Sequence, residues 1–255
     1  MSITAVTGSA SGIGAAVCQQ LREAGHTVIG IDRQQAEVIA DLSSSKGRAD
    51  AAKQVIALSK GTLDGLVCCA GLGVTAPSSS LVVSVNYFGS TELIDLLQPA
   101  LIKSTKPAIT IIGSVAAFQQ AAEPHRMTEL MLDNDEQAAR ALADELGQPH
   151  IAYAASKYAL TVHCRRLAVK TGSTGVRLNI VAPGAIETPL HEASKNDPRF
   201  GEAVRNFIAP IGRNGQPNEI ADAVSFLQSP QASFVHGSII YVDGGMDAMM
   251  RNGNF

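Results

Sequence analysis

Apolar residues along this chain fall into two alternating patterns. Short runs rich in β-branched residues occupy positions 3–7, 27–31, 37–40, 65–69, 108–112, 177–181 and 238–242. Most are apolar at consecutive positions and do not alternate, which is how strands buried on both faces of a parallel sheet read. Helical patterns lie between them. Ile13, Ala16, Val17, Gln20, Leu21 and Ala24 follow the rhythm of one helix face, and Gly25 supplies a C-terminal stop. This alternation predicts a doubly wound α/β fold of the Rossmann type. About seven parallel strands with right-handed crossovers are expected, in a single domain across residues 1–255.

Two segments break the rhythm. Positions 32–36 are too few for a helix. A strand of about five residues needs roughly 16 Å of return path, and six extended steps reach roughly 20 Å, so this crossover is expected to be extended coil. Positions 117–149 are the opposite case, because connections above about 15 residues without structure of their own are uncommon. There Ala138, Ala141, Leu142 and Leu146 share a helical face, Asn134 is placed to cap its start, and Gly147 follows its end. Met1-Ser2-Ile3-Thr4-Ala5-Val6 has no basic stretch and runs directly into the first motif, so it reads as a strand and not a signal peptide.

Composition narrows the function classes. With 255 residues, 45% of them apolar, the chain can build a core without staples. A net charge of −3 gives no electrostatic case for nucleic acid or an anionic membrane as main partner. No apolar run approaches the roughly 20 residues that span a bilayer. Cys18, Cys68, Cys69 and Cys164 form no CxxC pair and read as reduced, cytoplasmic thiols behaving as small hydrophobes. The six histidines show no metal-ligand spacing, so no metal site is expected.

Candidate chemistry begins at Thr7-Gly8-Ser9-Ala10-Ser11-Gly12-Ile13-Gly14, between the first strand and the first helix. Glycines there permit close backbone approach, and a helix N-terminus presents free N–H groups to a pyrophosphate. Asp32 ends the second strand, where a carboxylate accepts both adenosine ribose hydroxyls and repels a 2′-phosphate. NAD(H) is therefore preferred; Arg33 next door is the one feature that would admit NADP(H). Further on, Tyr153 and Lys157 stand at i and i+4, which places them on one helix face. A free phenol has a pKa of about 10 and is a poor base at neutral pH. A nearby ammonium, joined by the positive nicotinamide of NAD⁺, is expected to favour the phenolate.

The spacing Thr-Gly-x-x-x-Gly-x-Gly resembles that of the short-chain dehydrogenase/reductase family, and the resemblance runs along essentially the whole chain. Asp41-Leu42 is similar to the family's acid–apolar pair that holds adenine, and Cys69-Ala70-Gly71 stands where the family has Asn-Ala-Gly. Asn86, Ser114, Tyr153 and Lys157 match the catalytic four. Pro183-Gly184 with Thr188 matches the loop at the nicotinamide end, which includes Ile186, and Asp243-Gly244-Gly245 matches the C-terminal signature. The resemblance implies that Tyr153 transfers the hydroxyl proton and that Lys157 binds the nicotinamide ribose. It implies that Ser114 hydrogen-bonds the substrate oxygen and that Asn86 holds a water in a proton path. Gly8, Ser11, Gly12, Ile13, Gly14, Asp32, Asp41, Leu42 and Gly71 complete the implied cofactor set. Cys69 departs from the pattern: a thiol is a weak donor, so the hydrogen-bonded support of an Asn must be absent or come from elsewhere.

After Pro183-Gly184, the segment 184–212 is expected to form a lid carrying Ile186, Leu190, Phe200, Phe207, Ile208 and Pro210. Those residues either face an apolar substrate, with Leu190 touching it, or only pack the lid. Within the family, the short second crossover, the stretches 64–73 and 83–89, and the insertion before Tyr153 resemble certain bacterial members. Those members oxidise a steroid 3α-hydroxyl and reduce ketones and aldehydes with NAD(H). Other readings are a reductase of 3-oxoacyl chains or polyols, and a non-catalytic NAD-binding sensor. An epimerase of the extended type fits poorly, for want of a larger C-terminal domain. Family members commonly associate through the helices that carry Asn86 and Tyr153. A helical insertion covering that face predicts a homodimer through another surface, around residues 246–255. The other reading is that the insertion only borders the substrate pocket.

Overall fold

A computed structural model describes residues 2–120 and 123–253, with the side chains of residues 119 and 120 excepted. In chain order it runs β1 (Ile3–Thr7), α1 (Gly12–Glu23), β2 (Thr27–Asp32), β3 (Val38–Ile39), α2 (Ser45–Leu58) and β4 (Gly65–Cys68). Next come α3 (Ser79–Val83), a π-helical turn (Ser84–Phe88), α4 (Gly89–Leu101), β5 (Ala108–Ile112) and a 3₁₀ segment (Val115–Gln120). Then follow α5 (Arg126–Leu132), α6 (Glu136–Leu146), α7 (Pro149–Thr171) and β6 (Arg177–Pro183). The chain continues through α8 (Pro189–Lys195), α9 (Gly201–Asn206), α10 (Pro217–Gln228), β7 (Ile239–Val242) and α11 (Met246–Met250).

The strands form one parallel sheet in the order β3-β2-β1-β4-β5-β6-β7. The order reverses between β1 and β4, whose ends pair Thr7 with Cys68. Open α/β sheets bind ligands outside the carboxyl ends of the strands at such a reversal. One core cluster joins the sheet to residues of α2, α4, α7, α5 and α6, among them Val55, Leu97, Ala155, Met131 and Ala143. The other joins it to α1 and α10 through Val17, Leu21, Ile220 and Val224. The consecutive apolar positions are explained by this double cover: β4 and β5 are buried throughout. At the edge, β7 is only half-buried along its length. No helix among the described residues is long and apolar enough to cross a membrane.

Several boundaries differ from expectation. Third-strand pairing covers only Val38 and Ile39, because the Glu37 carboxylate turns back to accept from Gly30 N at 2.8 Å. Cys69 leaves the fourth strand, and Ser238 the seventh, whereas the sixth extends to Pro183. The crossover 33–37 is coil, as its length requires. On α1 the buried residues are Gly14, Val17, Cys18 and Leu21; Ala24 is the exposed C-cap. Gln20 serves as a polar tie to α10, donating to Asp222 Oδ1 at 2.6 Å and accepting from Ser225 Oγ at 3.1 Å.

The insertion holds two helices where one was expected. Asp135, not Asn134, caps α6, accepting from Ala138 N at 2.9 Å. Asn134 instead ends α5 in a left-handed conformation (φ 61°). The inward face is accordingly Ala139 and Ala143, with Leu142 and Leu146 half-buried and Ala141 exposed. α6 packs on α3, and α5 on α7. Asp144 on α6 also accepts from Ser80 N of α3 at 2.9 Å.

Candidate active site

The turn after β1 is built by close backbone approach. Gly8 and Gly12 adopt positive φ (67° and 53°), a region that L side chains rarely occupy. A Cβ on Gly8 would lie 2.9 Å from Ala70 Cα, and one on Gly14 only 2.0 Å from Gly8 O. Ser11 is the N-cap of α1 but makes no side-chain cap hydrogen bond, so first-turn N–H groups remain for an anion. Asp32 is fixed at the end of β2. Its Oδ2 accepts from Ala10 N at 3.0 Å and its Oδ1 from Arg33 N at 2.7 Å. Each oxygen keeps a lone pair for a ribose hydroxyl.

Asp41 and Leu42 sit at the same edge. Hydrogen bonds from Ser43 hold the Asp41 carboxyl below the usual carboxylate range. Leu42 is buried, and Arg48 donates to its carbonyl at 3.2 Å. That arginine was missed by sequence reasoning. It is fully buried, and its guanidinium also engages Glu92 of α4 and Glu136 of α6.

The loop after β4 receives the support that Cys69 does not give. Cys69 packs beside the apolar α1–α10 cluster. Thr7 Oγ1 accepts from Ala70 N at 2.9 Å. The Asn86 amide grips Leu72 from both sides: Oδ1 accepts from Leu72 N at 2.7 Å and Nδ2 donates to Leu72 O at 3.0 Å. Asn86 is buried in the π-helical turn, and Nδ2 also donates to Ser156 Oγ at 3.2 Å. Its side chain therefore positions this loop directly. A Cβ on Gly71 would lie 3.4 Å from Asn86 Oδ1 and 3.6 Å from Lys157 Nζ.

Ser114, just past β5, is buried, and its hydroxyl acts to lower the pKa of the Tyr153 phenol. Its Oγ also accepts from Ala116 N at 3.1 Å. One turn along α7 from Tyr153, Lys157 donates to the Ile112 carbonyl at 2.9 Å. Burial pushes the Lys157 ammonium down to about 8. Burial raises the Tyr153 phenol above its ordinary value, outweighing the Ser114 hydroxyl. The expected lowering of Tyr153 by Lys157 is thus not supplied by the protein groups alone, because this ammonium is drawn to a main-chain carbonyl.

Across the crevice, Gly184 fits against Asp243, where a Cβ would be 2.9 Å from Asp243 Cα. Ile186 is buried and bridges to Gly215. Thr188 caps α8, accepting from His191 N at 3.2 Å, and its methyl would lie 3.3 Å from a Cβ on Gly12. The segment thus closes on the phosphate turn. Leu190 reaches across to Gly73, 3.0 Å from a Cβ there, and Arg199 donates to Val74 O at 3.3 Å. Of the expected lid residues, Phe207, Ile208 and Pro210 are exposed, while Phe200 stacks with His150 at 5.6 Å. The glycine cradle, the free first-turn N–H groups and the acceptor pair of Asp32 together fit a dinucleotide.

A family model described as short chain dehydrogenase matches residues 2–125, and one described as Enoyl-(Acyl carrier protein) reductase matches residues 139–247. The seam between the two matches falls inside the insertion. The chain is 48% identical over 257 residues to the 3-alpha-hydroxysteroid dehydrogenase/carbonyl reductase of Comamonas testosteroni, with full coverage of both. It is also similar, over the whole of both chains, to the 3-alpha-hydroxysteroid dehydrogenase of Pseudomonas sp. B-0831 solved as a complex with NADH, at 58% identity and a TM-score of 0.97. A more distant similarity, 30% identical over 94% of this chain and 90% of the other, is to a glucose 1-dehydrogenase of Gluconobacter oxydans.

Proposed function

The chain belongs to the short-chain dehydrogenase/reductase family, and on that premise we propose that it interconverts a secondary alcohol and a ketone with NAD(H). Its preferred substrate is a 3α-hydroxysteroid or the matching 3-ketosteroid, with broader carbonyl reduction beside it. The observation that carries the reading is Lys157, one turn from Tyr153 on α7 and donating to the Ile112 carbonyl two residues before Ser114, with the Asp32-ended dinucleotide cradle alongside.

When bound, the nicotinamide supplies or accepts the hydride. Ser114 donates to the substrate oxygen and stabilises developing alkoxide. Tyr153 gives its hydroxyl proton to that oxygen in reduction and takes it back in oxidation. Lys157 holds the nicotinamide ribose, and the positive nicotinamide of NAD⁺ adds the charge that the protein groups alone do not supply to favour the phenolate. Asn86 holds the loop of Gly71 and Leu72 against the cofactor, and keeps a water in the proton path. Asp32 receives the adenosine ribose, Asp41 and Leu42 the adenine, and Gly8, Ser11, Gly12, Ile13 and Gly14 the pyrophosphate. Pro183, Gly184, Ile186 and Thr188 border the nicotinamide, and segment 184–212 closes over the substrate with Leu190 at its tip.

The protein works in the cytoplasm as a homodimer. Support for the dimer comes from α5 and α6, which cover α7 and α3 and so obstruct association through that face. The C-terminal region then forms the interface. Sedimentation of the intact chain as a tetramer would overturn this.

The functional test follows NADH absorbance with NAD⁺ and 3α-hydroxysteroids, set against 3-oxoacyl and polyol substrates and against NADPH. Steroid oxidation with NAD⁺ is expected. Tyr153→Phe is expected to lower kcat about a thousandfold while NADH still binds. A non-catalytic sensor would bind NADH without turnover in the unsubstituted protein.

A further inference from the structure

Three separate walls around the substrate end meet on one short segment near the C-terminus. Asp243 lies against Gly184 of the nicotinamide loop. Gly244 lies against the return of the lid, where a Cβ would be 2.8 Å from Ala209 Cβ and 2.7 Å from Ile211 Cγ2. The Asp243 carboxylate then caps α11, accepting from Gly245 N at 2.9 Å and Asp247 N at 2.7 Å. Met246, fully buried, joins Val115 and Ala209 in a small cluster of its own. Val115 is the residue after Ser114.

Past α11, Arg251 lies over the Phe118 ring, 3.7 Å from its centroid. Asp247 holds the guanidinium by two hydrogen bonds of 2.8 and 2.9 Å, and Arg251 donates to Tyr241 Oη at 3.3 Å. The Arg251–Asp247 pair is mostly shielded from water, with side-chain exposures of 22% and 15%. Phe118 belongs to the 3₁₀ segment that starts at Val115. A planar guanidinium matches a ring face and a carboxylate fork at once, which a lysine cannot do.

We propose that Arg251 is a positioning residue: stacked on Phe118, it fixes the segment that follows Ser114 and thereby sets how bulky a ketone the site accepts. This rests on the reading of the site as a ketone reductase. Arg251 touches no reacting atom and acts through Phe118. Its removal leaves hydride transfer intact and loosens one wall.

The experiment measures NADH-dependent reduction by the full chain and by Arg251→Met. Three ketones are compared: a 3-ketosteroid, a bulky diaryl ketone and cyclohexanone. NADH affinity is followed by fluorescence. Arg251→Met is expected to raise KM for the two bulky ketones about tenfold. kcat, the KM for cyclohexanone and the NADH affinity are expected to stay within about twofold. Arg251→Lys is expected to recover part of the loss. Phe118→Leu, which leaves the Asp247–Arg251 pair in place, is expected to reproduce the selective loss and to add little to Arg251→Met. Equal KM changes for large and small ketones, weakened NADH binding, or additive effects of the two substitutions would overturn the proposal. If the unsubstituted protein reduces the diaryl ketone but not the steroid, the steroid assignment fails. The diaryl-to-cyclohexanone comparison still decides the role of Arg251.

Discussion

The cofactor end and the substrate end of this crevice are built in different ways. At the proposed cofactor end, the turn 7–14 is held largely by close backbone approach and one carboxylate: Ala10 N donates to Asp32 Oδ2 at the end of β2, and a Cβ on Gly14 would meet Gly8 O. At the proposed substrate end, separate segments come together: the residues after Ser114, the segment 184–212 and the C-terminal helix. Its contacts are side-chain contacts between distant positions, such as Leu190 on Gly73 and Arg251 on Phe118. A site made of main chain admits few substitutions and one ligand geometry. A site made of side chains changes its selectivity one residue at a time.

The sharpest way to break that contrast is Gly14→Ala. The new methyl would stand 2.0 Å from a carbonyl oxygen that cannot swing away, so a stability loss of about 3 kcal/mol or more is expected, seen as a lowered Tm. An unchanged Tm with normal NADH binding would show that the turn is less tightly built than described.

Lys157 stands where the two ends meet, and its effect shows in pH dependence. Burial holds its pKa at about 8 in the folded protein, below the 10.5 of a free lysine. Between those values the unfolded chain binds more protons, so this group makes the protein more stable as pH rises through the window. The gain is at most about 1.4 kcal/mol per pH unit. In Lys157→Met, denaturant titrations across that range are expected to lose this slope.

Asp32→Asn is expected to weaken NADH binding about tenfold for every substrate alike. It is also expected to narrow the preference over NADPH, with Arg33 left beside the ribose site. The smallest effect belongs to Leu190→Ala. This side chain is 39% exposed, so stability should change by less than about 1 kcal/mol. KM for a bulky ketone should rise about threefold, with cyclohexanone unaffected. Substrate-independent losses from Leu190→Ala would erase the distinction between the two ends.

The parts visible in the sequence are those whose geometry is local. Glycine spacing reports a backbone approach within one turn, as Gly8 and Gly14 show. Tyr153 and Lys157 share a helix face because four residues make about one turn. Strands read as unbroken apolar runs because β4 and β5 are covered on both sides. One-residue choices were less legible. Asn134 and Asp135 are both good caps by type, and only the end of α5 decides that Asn134 takes the left-handed position.

Partner choice across the chain had no local signal at all. Arg48 would be taken for a solvated residue of α2, yet it is buried against Glu136, 88 positions away. Burying a guanidinium is tolerated only where carboxylates meet it, and the insertion brings one there. Arg251 likewise finds Phe118 only because β7 returns beside β6 and turns α11 toward the residues after Ser114. The sequence by itself determined the sheet, the glycine turn after β1 and the shared helix face of Tyr153 and Lys157, since each depends on neighbours within a turn or on uniform burial. Tertiary structure alone decided how the insertion is anchored and what bounds the substrate, because those depend on contacts that no short-range pattern records.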